Sequence, residues 1–117
     1  MQILQIIITT FCAWLVHAGL VVIYIRAFAS TSSLGFRLLH GAEIFLVMFL
    51  AFMFALPKIG SVSNILLVLV SLATLAVIDV TVFSVAKSWQ EHFDAYHFIT
   101  AFSAVALALL LANRLQN

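Results

Sequence analysis

The chain has 117 residues, of which 66% are hydrophobic and 8% charged, with a formal net charge of +1. Soluble domains carry about 25% charged residues, so a water-soluble fold is excluded and an integral membrane protein is expected. The near-neutral charge and the absence of a basic cluster exclude a nucleic-acid partner, which needs phosphate-gripping cations. The single cysteine, Cys12, rules out an intrachain disulfide.

A helix needs about 20 mostly apolar residues to cross the hydrocarbon core. The chain offers four such runs, near residues 3–28, 36–56, 62–86 and 93–112. The first starts at Met-Gln-Ile-Leu-Gln with no basic n-region, so it is expected to be retained as a span rather than cleaved. A small polar segment, Ala29 to Gly35, follows it. The second span ends at Pro57-Lys58-Ile59-Gly60-Ser61, which contains the only proline and reads as a tight helical hairpin. Lys87 to His92 joins the third span to the fourth. Trp89, Tyr24 and Tyr96 suit an aromatic belt at one interface. The apolar runs do not alternate with period two, which argues against a β-barrel.

Short connections make successive helices antiparallel, so the expected fold is all-α: a single transmembrane domain, an up-down-up-down bundle of four transmembrane helices. Arg26, Arg37 and Lys87 lie toward one face, and Lys58, Arg114 and the N-terminal amine toward the other. The small excess tips the first face toward the cytoplasm. In architecture the chain resembles small bacterial four-span membrane proteins, some of which bind haem through transmembrane histidines. That likeness implies a multi-pass protein of a bacterial inner membrane.

The ionisable residues are unevenly placed. At about 1.5 Å of rise per residue, His17 lies roughly 15 Å below the face shared by the first two spans, Glu43 and Asp79 roughly 10–12 Å, and His40 and His97 roughly 5–9 Å. Asp94 and His92 are peripheral to this layer. The opposite half of the bundle has no acid or histidine, and its notable polar side chains are Gln2, Gln5, Thr9, Thr10, Asn64, Ser71 and Asn113. Ionisable groups inside a membrane are costly and mark functional sites. Helical periodicity groups Thr10, Ala13, His17 and Tyr24 on one face of the first span. His40, Glu43, Val47 and Ala51 group on the second, and Ala76, Asp79, Phe83 and Ala86 on the third. Asp94, His97, Ala101, Ala104 and Ala108 do so on the fourth, where the alanines allow close helix approach.

Three chemistries suit this layer. The first is a metal site with His17, His40, Glu43, Asp79 and His97 as ligands. His40-x-x-Glu43 and Asp94-x-x-His97 each put two ligands one turn apart, and imidazole with carboxylate suits zinc, iron, copper or manganese. The second is a proton or ion relay through His17, Glu43 and Asp79, which reaches only halfway across. The third is a haem b or quinone-associated anchor subunit of a redox complex, with His17 or His40 paired to His97. Against these stands plain interhelical glue, a weak reason for so many charges because such contacts average about 0.6 kcal/mol. Asp94 and His92 are better explained as solvated helix-start residues. No lysine lies within the expected spans, which argues against a retinal Schiff base. A chain this small is expected to form a homo-oligomer or join a larger membrane complex. Nothing in the sequence argues for a particular enzymatic reaction.

Overall fold

The computed structural model describes residues 1–28, 33–86 and 95–116. Four helices make up nearly all of it: α1 (Gln2–Tyr24), α2 (Leu34–Ile59), α3 (Asn64–Val85) and α4 (Ala95–Gln116). A 3-10 turn, Ile25–Ala27, extends α1. Each helix is long and apolar enough to cross a membrane, and at 22–26 residues spans about 33–39 Å. Asp94, His92, Lys87 and Trp89 lie outside the described residues.

Local chemistry fixes the ends. Ser33 caps α2 by accepting a hydrogen bond from the Phe36 amide at 3.2 Å, and Ser63 caps α3 by accepting one from the Leu66 amide at 3.2 Å. The α2 helix does not stop before Pro57, as the hairpin reading expects, but runs through it to Ile59. A proline in a helix leaves the carbonyl four residues back without its amide donor. Here that carbonyl belongs to Met53, and the Gln116 side-chain amide of α4 donates to it at 3.3 Å. The helix ends instead at Gly60, whose φ of 92° is a backbone state that only glycine adopts readily.

The helices form a square in which α1 packs on α2 and α3, and α4 packs on α2 and α3, most extensively on α2. Although joined by the short 60–63 turn, α2 and α3 stand across a diagonal. Buried residues recur every three or four positions, giving stripes at Ile6, Thr10, Ala13, His17 and Val21 on α1 and at Phe36, His40, Ile44, Met48, Phe52 and Leu56 on α2. On α3 the stripe is Leu67, Ser71 and Leu75, and on α4 it includes His97, Ala101, Val105, Ala108 and Ala112. The outside is equally apolar: Phe54, Ile23 and Ile65 are each more than 70% exposed.

Hydrogen bonds show which ends meet. At one end, Gln2 Nε2 donates to the Ser61 carbonyl at 2.7 Å, while Asn113 Nδ2 donates to the Val62 carbonyl at 3.0 Å and to Asn64 Oδ1 at 2.7 Å. The start of α1, the α2–α3 turn and the end of α4 are thus tied together. Midway, buried Thr10 donates to Ser71 at 3.3 Å. At the other end, Arg37 of α2 lies 4.9 Å over the Tyr96 ring of α4, in a cation–π contact.

Candidate functional site

The histidine-bearing end of the bundle holds one buried polar cluster built from all four helices. His17 comes from the lower half of the α1 stripe, His40 from the second position of the α2 stripe, and His97 from the first turn of α4. All three are buried. Asp79 continues the α3 stripe one turn beyond Leu75 and is half-buried. His17, His40, Asp79 and His97 line one cavity of about 50 Å³, together with Trp14, Leu75 and the Phe83, Phe98 and Phe102 rings. That is room for a few water molecules, each needing at least about 10–15 Å³ by this measure.

The strongest contact joins α1 to α2. His17 Nδ1 lies 2.7 Å from Glu43 Oε1 and 2.8 Å from Oε2, with both side chains about nine-tenths buried. The Tyr24 hydroxyl donates to Glu43 Oε1 at 3.0 Å from the other side. An ionised carboxylate only accepts hydrogen bonds, so with Glu43 ionised the His17 proton is on Nδ1. Nε2 is then the ring nitrogen left to the cavity that His17 lines.

The remaining imidazoles are held by rings. The His17 and His40 centroids are 5.2 Å apart, and those of His40 and His97 6.0 Å. Phe36 stacks on His40 at 5.7 Å with an interplanar angle of 14°, and meets His97 edge-on at 5.6 Å. It also contacts Tyr24 at 5.8 Å. Fully buried Phe36 is therefore the organiser around which two histidines and the tyrosine are arranged. Asp79 shares the cavity lining with His17 and Trp14.

The structure thus brings together His17, His40, Glu43, Asp79 and His97, but not as one ligand set. Glu43 does not line the cavity. It sits behind His17 and orients it. His40 and Glu43, read from sequence as a ligand pair on one face, diverge: the buried face of α2 runs through 36, 40, 44 and 48, leaving Glu43 on its flank toward α1. Among the described residues, no group of three or more His, Cys, Asp or Glu side chains is arranged to hold a metal ion. The peripheral candidates Asp94 and His92 lie outside the described residues.

Sequence reasoning missed three contributors. Tyr24 reads from sequence as a belt residue on the His17 face, without its hydrogen bond to Glu43. Trp14 carries no ligand chemistry that the sequence would flag, yet its position three residues before His17 puts it on the cavity wall. Phe36 carries no chemical signal beyond its place one turn before His40. No protein-family model matches this chain, and no curated protein or solved structure is detectably similar to it.

Proposed function

We propose that the chain is a multi-pass membrane protein, with its four helices crossing in alternating directions, and that it exchanges protons at the Tyr24–Glu43–His17 array. The membrane reading rests on four spanning-length helices with an apolar exterior. Single-domain soluble proteins do not expose apolar surface on this scale. The observation that carries the proton chemistry is the His17 Nδ1 contact with both Glu43 oxygens at 2.7 and 2.8 Å. A carboxylate behind an imidazole fixes its tautomer and stabilises the imidazolium, which makes the far nitrogen a proton acceptor. Histidine is the side chain suited to that task near neutral pH. Tyr24 supplies a second hydrogen bond that holds the carboxylate in place.

Exchange is one-sided. Ile6, Phe52, Leu67 and Leu109 are all fully buried in the part of the bundle beyond the Thr10–Ser71 contact. That apolar plug separates the cluster from the Gln2, Asn64 and Asn113 end. A site open to one face does useful work when coupled to something else, which favours a homo-oligomer or a place in a larger membrane complex.

The test is the state of the His17 ring nitrogens in nanodisc-embedded protein, read by nitrogen-15 NMR between about pH 5 and 8. Reversible protonation of His17 that moves in pH when Glu43→Gln is introduced is expected. A His17 that keeps one protonation state throughout, in both proteins, refutes the reading.

One observation favours metal binding as a second reading. Metal-ligating histidines characteristically give their other ring nitrogen to a carboxylate, which is what Glu43 provides for His17. His40, His97 and Asp79 are then the remaining candidate ligands, for zinc, iron, copper or manganese, and the side chains must draw together to hold an ion. Elemental analysis of purified protein decides it: near-stoichiometric metal, lost in His17→Ala, supports the site. Haem b fits less well, because ligand pockets of that class occupy about 300–1,000 Å³ and this cavity about 50 Å³.

A further inference from the structure

The histidine cavity has a neighbour on the lipid side. A groove of about 480 Å³ runs along the outside of the bundle between α3 and α4, lined by Ala76, Val80 and Ser84 with Asp79, Phe83, Phe98 and Phe102. The last four residues also line the inner cavity. A single layer of side chains therefore separates the groove from His17, His40 and His97. That layer is aromatic: the Phe83 and Phe98 rings meet edge to face at 5.2 Å, and Phe98 and Phe102 lie 6.5 Å apart. Asp79 stands in it as the polar member, lining both the groove and the inner cavity that His17 and Trp14 also line.

Whatever enters this groove must come from the hydrocarbon. Its walls are apolar and aromatic, which suits a flat ring, and its floor offers a carboxyl group with an imidazole behind it, which suits oxygen atoms that accept or donate hydrogen bonds. Its volume lies in the range of small-molecule sites. Acyl chains satisfy the walls but offer the Asp79 carboxyl no hydrogen bond. Resting on the membrane and proton-exchange reading above, we propose that the groove is a lateral entry site for a lipid-soluble quinone or quinol. The head oxygen approaches Asp79, the ring lies against Phe83 and Phe98, and the tail stays in the bilayer. The assignment is of binding next to a proton-exchanging histidine. No electron transfer is assigned.

The experiment uses Trp89→Phe protein in nanodiscs, so that Trp14 on the cavity wall is the one fluorophore of its kind. It is titrated with a decyl-substituted benzoquinone, an efficient quencher of indole emission. Saturable quenching is expected, weakened at least tenfold by Asp79→Asn and abolished by filling the groove with Ala76→Phe. Val80→Phe, at an exposed groove position, serves as a second filling variant where the first does not fold. Quenching that rises linearly with the quinone-to-lipid ratio and is the same in these variants overturns the proposal, because the quinone is then merely dissolved in lipid. His17 protonation, measured separately by nitrogen-15 NMR, keeps the two failures apart: a titrating His17 without saturable quenching sinks the quinone site alone.

Discussion

The His17–Glu43 pair makes an asymmetric demand on stability. Both side chains are about nine-tenths buried, so they belong to the class of desolvated pairs and not to screened surface bridges. Replacing His17 with Leu strands the Glu43 carboxylate with the Tyr24 hydroxyl as its remaining partner in this array. Breaking a buried pair in that way costs about 3–5 kcal/mol. Replacing Glu43 with Leu leaves two donors without their acceptor, an imidazole that can stay neutral and the half-buried Tyr24 hydroxyl, so the cost falls toward that of one unsatisfied buried donor, about 1–3 kcal/mol. Replacing both with apolar residues of similar volume removes the desolvation problem along with the attraction, and such swaps are often neutral or better. The double variant is therefore expected to be more stable than His17→Leu alone, with a coupling of at least about 2 kcal/mol. An ordinary interhelical polar contact averages about 0.6 kcal/mol, so the two cases are separable. The assay is reversible unfolding in bicelles, followed by helicity and by tryptophan emission, over the four-member cycle. Single costs that are equal, with a double variant matching their sum within about 0.5 kcal/mol, would refute the reasoning.

Tyr24→Phe keeps the ring against Phe36 but removes the hydrogen bond to Glu43, and a loss of about 1.5–3 kcal/mol is expected in the same assay. Gln116→Ala is expected to cost about 0.5–1.5 kcal/mol in the natural sequence, yet nothing measurable in a Pro57→Ala background, where the residue 57 amide can reach the Met53 carbonyl itself. Equal costs in both backgrounds would show that Gln116 acts elsewhere. At Gly41, an added Cβ would already lie 3.1 Å from Thr100 Cγ2. Gly41→Leu should therefore force α2 from α4 beside His40 and His97, costing about 1–3 kcal/mol and lengthening a spin-label distance between the two helices.

The four helices and the layer holding their histidines are legible in the sequence because both follow from hydropathy and a fixed rise per residue. The partners within the layer are not, because they depend on how each helix is rotated about its axis. One residue of helix corresponds to about 100°, and the choice between a 40/43 face and a 40/44 face is that small. On α2 the heavier side chains Phe36, Met48 and Phe52 take the interior. Glu43 is turned to the flank, where it meets His17 in place of sharing a ligand set with His40. Pro57 shows the same limit from the other side. It is a strong local stop signal, overridden because a glutamine 59 positions away supplies the missing donor, and no local window contains that information. The aromatic organisers stayed hidden for a different reason: among eleven phenylalanines, Phe36 is distinguished only by what it touches.

The uneven distribution of polarity along the bundle has a consequence for transport that can be tested directly. From the face near Arg37, a proton has a chain of groups to use: Tyr24, Glu43, His17 and the water-sized cavity beyond. Past Thr10 and Ser71 it meets Ile6, Phe52, Leu67 and Leu109, all fully buried and none offering a side-chain lone pair. On the proposed proton-exchange reading, a static bundle of this kind takes protons to a site and returns them the same way. In liposomes with an internal pH dye and an imposed gradient, wild-type protein and Glu43→Gln are both expected to leak no faster than protein-free vesicles. A wild-type leak that vanishes in Glu43→Gln would mean that the plug opens spontaneously. One-sided exchange would then be wrong, and the apolar layer would have to be read as a gate.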